Sequence, residues 1–580
     1  MKAPDVELIL DTDQQEDAIL WRRFAGIAGD PLKGKSAIAD PQKSRSKSAS
    51  GQTLRFLPLL HPVVPHDAKR AEALMKDGWR IGHERLQVDP ATPPWAIPSP
   101  SRHYSDRLHR FEWLGALLGH SPEGADKARF LVDDWIERYG GFHRFFWRLS
   151  PLVVRVWEWM LAGPGLFETG PEAQCQKRLA TLARQIDSIG EGLETCTDPA
   201  TRWRASCVLV ANALCLKDGR GAESALAQLE TECIAQILPD GGHVSRSPEI
   251  LLRALTDLIT LRDAVARADR PIPDFMTKWI PRMGAMLNFF RLGDGGLCPF
   301  NAGSENRPEA VSGILAALDE PPRKFSFAMK SGFQKLSKKQ LCLVLDTGAA
   351  PPSLFAGQAH SGALGFELSD GADRIVTSCG FSPEVNLDWQ AAVRRTGAHS
   401  TLSLAGRDAS KFSTFEPTRL LTPEGPEGIS AKRLEEADEI WLDAQHAGWK
   451  GRYGLIHRRR LFMSGGGDQL TGEDSIVRPI SQTPDDDGKF ISFDIRFHLH
   501  PCIRATTRSD AIELQSENGS IWRFRTTHPG TRLELSRYLG RGLVEPTVQI
   551  VMSGRADPNG DGALPPNCIR WGFRKHKDAS

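Results

Sequence analysis

Leu238-Pro239-Asp240-Gly241-Gly242-His243-Val244-Ser245-Arg246-Ser247-Pro248 ends one helix, turns on glycines and restarts another. Ser247 is placed to accept a hydrogen bond at a helix N-terminus. Pro248 has the φ that suits a first helical position, and Glu249 sets negative charge at the positive end of the helix dipole. Beyond it Ile250, Leu251, Ala254, Leu255, Leu258 and Ile259 recur at helical spacing as one apolar stripe. The stretch therefore reads as a buried helix entered through a polar turn that is available to a cleft.

Working outward, the same grammar extends over residues 105–292. Leu108, Phe111, Leu114 and Leu118 fall at helical spacing, as do Val154, Trp157 and Leu161, and Phe289 and Phe290 close a further helix before Gly293-Asp294-Gly295-Gly296. Helical pairs with no strands between them predict a toroid or bundle of antiparallel helices. Between Phe300 and Phe325 the apolar period changes from 3.6 to 2. Leu341, Leu343 and Leu345 alternate with Cys342, Val344 and Asp346; Leu364, Phe366 and Leu368 alternate with Gly365, Glu367 and Ser369; Ile456 to Phe462 continues the pattern. The expected architecture is multidomain α and β: an N-terminal α/α toroid of helical hairpins over 55–320, then a C-terminal antiparallel β-sandwich over 321–580. Residues 1–54 read as an N-terminal helix around Phe24 followed by a basic, Ser-rich, disordered linker.

At 580 residues the chain is too long for one compact core. Its 73 Lys and Arg against 72 Asp and Glu argue against a nucleic-acid coat while leaving room for a local basic groove. The ten cysteines form no C-x-x-C pair and read as reduced core residues. The start lacks the basic residues and apolar run of a secretory signal, and no stretch reads as a transmembrane segment. A cytoplasmic location is therefore expected.

Together with Ala359-His360-Ser361-Gly362-Ala363-Leu364-Gly365-Phe366-Glu367-Leu368 and Ala398-His399-Ser400-Thr401-Leu402, the opening stretch resembles the heparinase II/III family of polysaccharide lyases. The resemblance runs from about residue 55 to about 575. It implies a helical toroid followed by a β-sandwich, acidic polysaccharides such as glycosaminoglycans or alginate as partners, and cleavage by β-elimination. It also implies a periplasmic or cell-envelope location as the alternative to the cytoplasm.

β-Elimination beside a uronic acid needs donors that neutralise the carboxylate, a base for the C5 proton and an acid for the leaving oxygen. At the positions where the family carries these groups the chain departs. The Asn-His pair falls on Ala200 and Thr201, the tyrosine after the Ser-Pro falls on Ile250, and the first histidine of a His-x-His falls on Gln358. His360 and His399 match two zinc-binding histidines, while the usual aspartate falls on Ser378. No cofactor is required by this reading, and zinc at His360 and His399 is the possible one.

Two readings follow. In the first, an eliminase with a rearranged site uses Arg394 against the carboxylate, His243 or His399 as base and Tyr453 as acid. Tyr453 is one of only four tyrosines and is expected in a glycine-flanked hairpin. Gln358, Arg246, Trp389 and Trp449 are then the substrate-binding candidates, with the indoles stacking on sugar rings. In the second, a non-catalytic glycan-binding or scaffold protein has kept the groove and lost the chemistry. Along His457-Arg458-Arg459-Arg460 the period of two sets Arg458 and Arg460 on one face and His457 and Arg459 on the other, one of which is a candidate anion groove.

Overall fold

The computed structural model describes residues 54–576, apart from positions 67, 77, 90, 218, 416–419, 480–488 and 561. The N-terminal helix and linker expected over 1–54 fall almost wholly outside them. The chain divides into two compact units, one built from residues up to Ala235 with Thr256–Lys278, the other from Gln236–Leu255 with Trp279–Ser580. The change of apolar period near 320 thus falls inside the second unit, not at a boundary between units.

The first unit is mostly helical, with one two-stranded antiparallel ribbon of Trp79–Ile81 and Glu84–Leu86. Pro122–Tyr139 starts at Ser121, whose hydroxyl accepts from the Gly124 amide. Pro199–Cys215 starts at Asp198, whose carboxylate accepts from the Thr201 amide at 2.8 Å and from its hydroxyl at 2.5 Å. Thr201 therefore belongs to a helix cap. Leu149–Ala162 packs against both Glu172–Leu193 and Pro199–Cys215. Between them Arg155 is fully buried, donating to Gln185 at 2.6 Å and to the His109 carbonyl at 3.1 Å while its guanidinium lies 4.4 Å from the Trp135 ring centre. The helical spacing expected through Leu118 is interrupted. Phe111 takes φ 60°, separating Arg102–Leu108 from Leu114–Leu118, and its ring packs against Trp95, Trp113, Trp135 and Trp159. Four of the chain's fifteen tryptophans meet this one ring.

Besides a two-stranded antiparallel ribbon of Lys411–Phe415 with Leu420–Glu424, the second unit carries two large antiparallel sheets. One runs in the order Ser430–Glu436, Glu439–His446, Ile456–Met463, Gln469–Val477, Cys568–Lys575, Ile521–Thr526, Ile512–Ser516, Ile503–Thr507. The other runs Thr531–Tyr538, Glu545–Ala556, Ile491–Leu499, Asp373–Thr377, Phe366–Asp370, Leu341–Asp346, Phe333–Lys338, Phe327–Ala328, with Leu402–Leu404 beside Ile491–Leu499. Both bury apolar faces in one core: Leu343, Phe366, Ile495, Phe497 and Met552 from the second sheet meet Leu442, Leu461, Leu470, Trp571 and Phe573 from the first.

The alternation expected at Leu341–Asp346 is absent, because all six residues are buried. The face of this sheet away from the core is covered by the segment after Phe290. Arg374 donates to Asp294 at 2.7 Å and to the Leu297 carbonyl at 3.0 Å, and the Gly293 amide donates to Ser369. Four short helical turns also interrupt the region expected as strands: Ser353–Gln358, Leu387–Ala392, Thr396–Ala398 and Lys450–Tyr453. Tyr453 thus ends a helical turn between strands, and the expected tight hairpin is not formed there. Among the described residues no helix is long and apolar enough to cross a membrane.

Candidate functional site

The helix Pro248–Arg267 starts where the sequence places it, with Leu251, Ala254, Leu255, Leu258 and Ile259 buried. Ile250 is only half-buried, and Leu252 joins the stripe instead. In the turn before it, Gly241 has φ 90°, and a Cβ there would lie 2.1 Å from the Arg282 carbonyl oxygen, so a side chain is excluded on two counts. The Asp240 carboxylate accepts from the amides of Lys330 and Ser331 at 2.9 and 2.7 Å and from the Ser331 hydroxyl at 2.8 Å. The aspartate of the motif is a clasp on the segment that leads into the sheets.

His243 turns inward. Its Nδ1 accepts the Ser245 amide at 3.1 Å and lies 2.7 Å from the Ser245 hydroxyl, which leaves Nε2 to donate to Gln236 at 3.2 Å. Burial brings the ring down to about 3 from an ordinary 6.5. The expectation that His243 points into a groove is corrected by these bonds: both nitrogens are occupied within the turn. Arg246, expected to bind substrate, takes φ 59° and donates to the carbonyls of Ser331, Ala349 and Gly332, at 2.8, 3.0 and 3.2 Å, and to the buried carboxylate of Asp346. Its guanidinium is a tie between segments of its own unit.

A loop that the sequence reading passed over joins these groups. Asn301, Ala302 and Asn306 all have positive φ, which holds the loop in a compact, irregular course. Asn301 donates to the Arg246 carbonyl at 3.0 Å and accepts from the His360 amide at 3.1 Å, while the Ala302 amide donates to His360 Nε2 at 3.1 Å. Glu249 accepts from Ser304 and Asn306. Glu305, between them, accepts from the Tyr538 hydroxyl at 2.6 Å and from His500 Nε2 at 2.8 Å. Burial works to raise the Glu305 carboxyl, but His500, Arg374 and Tyr538 outweigh it and bring it down to about 2.

His360 and His399 are brought together, with ring centres 5.3 Å apart in an edge arrangement. Because His360 Nε2 accepts an amide hydrogen, its proton sits on Nδ1. His399 donates to the Val393 carbonyl and, among the described residues, has no partner at Nε2, so there the lone pair is on Nε2. Burial lowers both rings, His399 to about 4. Arg394 is buried alongside, its side chain lowered to about 10 by desolvation and its carbonyl accepting from the Ser361 amide. The donor set does not fit zinc. His360 presents a proton and not a lone pair, Ser378 stands where the resemblance asks for an aspartate, and among the described residues no group of three or more His, Cys, Asp or Glu is placed to hold an ion.

The remaining candidates separate. Gln358 is half-buried at the end of its helical turn. Trp389 is half-buried against Phe381, Val385, Val393 and Ala398, next to the Arg394 and His399 loop. Trp449 is 2 % exposed and belongs to the core between the sheets, 4.9 Å from the His446 ring, so the expectation that it stacks on a sugar is corrected. Tyr453 packs on that same core, and among the described residues it makes no hydrogen bond or ring contact with His243, Arg394 or His399. Tyr538 is the tyrosine whose hydroxyl meets a carboxylate, whereas that of Tyr104 donates to the Trp79 carbonyl at 2.7 Å. Its signal in the sequence was only the shortage of tyrosines.

His457 and Arg459 form the inward face of their strand, both on Asp474, whereas Arg458 and Arg460 face outward and pair with Asp443 and Glu473.

The comparisons agree with this architecture. Residues 320–572 match the family described as heparinase II/III-like, C-terminal. Among curated proteins, FtsZ-localized protein C of Caulobacter vibrioides is 32% identical over 569 residues, covering 96% of this chain and 96% of that one. Among solved structures, heparinase III superposes with a TM-score of 0.64 at 12% identity, over 97% of this chain and 89% of that one. The heparan sulfate lyase HepC of Pedobacter heparinus superposes with a TM-score of 0.55 at 14% identity, over 90% of this chain and 84% of that one. At such low identity the two structures speak for the fold alone. Helices followed by antiparallel sheets, the family match and the long curated relative together lead to one conclusion: this chain belongs to the heparinase II/III-like family.

Proposed function

We propose that the chain keeps the fold of this family without its eliminase chemistry and acts as a non-catalytic scaffold that binds glycan or protein partners. The observation that carries this reading is His243. A base must offer a lone pair to the substrate, and the Nδ1 lone pair of His243 is taken by the Ser245 amide inside a buried turn, with the ring held near 3. The substitutions at Thr201, Ile250, Gln358 and Ser378 support the same reading, as does a relative whose name records localisation with FtsZ. On this proposal the helical unit closes as the α/α toroid of hairpins, the two sheets are the family's sandwich, the protein is cytoplasmic, and it gathers where FtsZ assembles.

One observation favours the rival reading. His399 has an unpartnered Nε2 lone pair beside Arg394, a base and a carboxylate neutraliser side by side. Incubation with heparan sulfate, hyaluronan, alginate and bacterial uronans, following the ultraviolet absorbance of an unsaturated product, separates the two. No product from any polymer, with a fluorescent fusion concentrated at division sites, is the expected result. Product formation that disappears in His399→Ala would overturn the proposal in favour of an eliminase.

A further inference from the structure

Ser430–Glu436 is the end strand of its sheet, and among the described residues no strand pairs with its outer side. Ala437 and Asp438, at φ 49° and 66°, close a two-residue hairpin to Glu439–His446. The residues flanking such a turn, Glu436 and Glu439, exchange both backbone hydrogen bonds, and the antiparallel ladder alternates from there. Glu436, Leu434, Lys432 and Ser430 therefore bond to the neighbouring strand, while the amides and carbonyls of Glu435, Arg433 and Ala431 face the open edge. An edge of this kind is a template for a further strand.

Charges on an edge strand usually repel a newcomer. Here they have a symmetry of their own, because Lys432-Arg433-Leu434-Glu435-Glu436 runs from two cations through an apolar centre to two anions. A second copy laid antiparallel along the edge, with the two-fold axis at Leu434, sets Lys432 against the partner's Glu436 and Arg433 against the partner's Glu435. Both pairs recur on the other side of the axis. The backbone admits this register, since Arg433 and Glu435 both face the edge and pair across it through hydrogen bonds. Charge selects it: an axis at Arg433 sets that arginine against its own copy, and an axis at Glu435 does the same to the glutamate.

Exposed apolar surface runs through the same centre. Leu434 is 57 % exposed and stands directly across from Trp441, itself 48 % exposed. Phe462 is the next cross-strand partner, its ring centre 4.4 Å from that of Trp441. The three side chains form one row across the outer face of the sheet, and the row ends at the open edge. In the paired register Leu434 meets the partner's Leu434, so two rows join into one band. On the opposite face Arg433 donates to Glu435 of its own strand at 2.6 Å and to the Lys335 carbonyl at 2.9 Å, which holds both charges at the edge.

We propose that this edge is an interface with a second copy of the chain, in which two Ser430–Glu436 strands pair antiparallel about Leu434 and join the two sheets into one. Sedimentation velocity of the full-length protein over a range of concentrations tests it. The wild type is expected to dimerise reversibly. Lys432→Glu and Glu436→Lys each turn two attractive pairs into two repulsive ones, and each alone is expected to weaken the dimer by about tenfold or more. Both positions are exposed, so the fold is expected to tolerate the changes. Mixed in equal amounts, the two variants are expected to associate with each other as tightly as the wild type does with itself, because each presents the charge that the other lacks. The double variant Lys432→Glu with Glu436→Lys is expected to recover on its own. A chain that stays monomeric up to about 100 μM overturns the inference and leaves the edge to a strand of another protein. A dimer indifferent to both single reversals, or a mixture no tighter than its components, overturns it as well.

Discussion

Arg459 and Asp474 are direct cross-strand partners, and they form a two-point ion pair, Nε to Oδ1 at 2.7 Å and Nη2 to Oδ2 at 2.9 Å, with neither side chain exposed. The pair is saturated on both sides. Asp474 also accepts from His457 at 2.6 Å and Trp571 at 2.8 Å, and Arg459 also donates to the carbonyls of Leu364 and Ser400 at 2.7 and 2.8 Å. One of the two strand faces the sequence offered for an anion groove is therefore an internal knot between the strands and the loops that carry His360 and His399.

Removing one partner of such a knot leaves the other charged in a dry interior. Asp474→Ala and Arg459→Leu are each expected to cost about 3–5 kcal/mol in chemical denaturation, and the double replacement by apolar residues clearly less than the sum. Additive costs would show that the two residues act independently.

Gly241 and Arg246 test the turn. Gly241→Ala meets both a positive φ and the Arg282 carbonyl, so a loss of more than about 1 kcal/mol is expected. Arg246→Lys is expected to be nearly as damaging as Arg246→Met, because an ammonium cannot span the Ser331, Ala349, Gly332 and Asp346 oxygens at once. Thermal melting of the three variants checks both statements, and a Lys variant as stable as wild type would sink the second.

The buried histidines set an acid limit. Burial, the leading cause in each, holds His243 and His498 at about 3 and His399 at about 4, against an ordinary 6.5. With folded values below the unfolded one, the unfolded chain binds more protons in between. The stability these rings contribute is whole above about pH 6.5 and is lost as pH falls toward 4 and 3. Glu305, at about 2 in the fold, extends the loss below pH 4.5. Melting temperatures should therefore decline steadily below pH 6.5, with a shallower slope in His243→Gln; an identical slope in that variant argues against burial as the cause.

The two indoles named as sugar platforms are expected to part company. Trp449→Ala should cost about 3–5 kcal/mol of stability as a core truncation. Trp389→Ala should cost on the order of 1–2 kcal/mol. If a glycan binds, its affinity, measured by calorimetry, should fall in Trp389→Ala and hold in Trp449→Phe; the reverse pattern would place the glycan elsewhere.

Periodicity made the helices, the later sheets and the entry of the Pro248 helix legible, because burying one face of an element imposes 3.6 or 2 on the residues that form it. It failed at Leu341–Asp346, where both faces are covered and alternation has nothing to record. It failed again at Phe111, where a single left-handed residue breaks an otherwise helical pattern. The family resemblance was legible in Pro-Asp-Gly-Gly-His and in the two Ala-His-Ser segments, and so were the positions at which the chain departs from it.

Side-chain direction was not legible, and the candidate site depends on it. His243, Arg246 and Trp449 read as well for a groove as for a core, since a motif specifies which residues stand in a turn and not which way each ring or guanidinium faces. Asn301, Glu305, His500 and Tyr538 lie up to more than two hundred positions apart, and no local pattern links them. The sequence by itself determined the elements, their order and the family, because these follow from local burial periods and short motifs. Only the tertiary structure decided which polar groups are spent on one another, because a hydrogen bond depends on distance in space, and the partners here are supplied by loops whose course is set by packing.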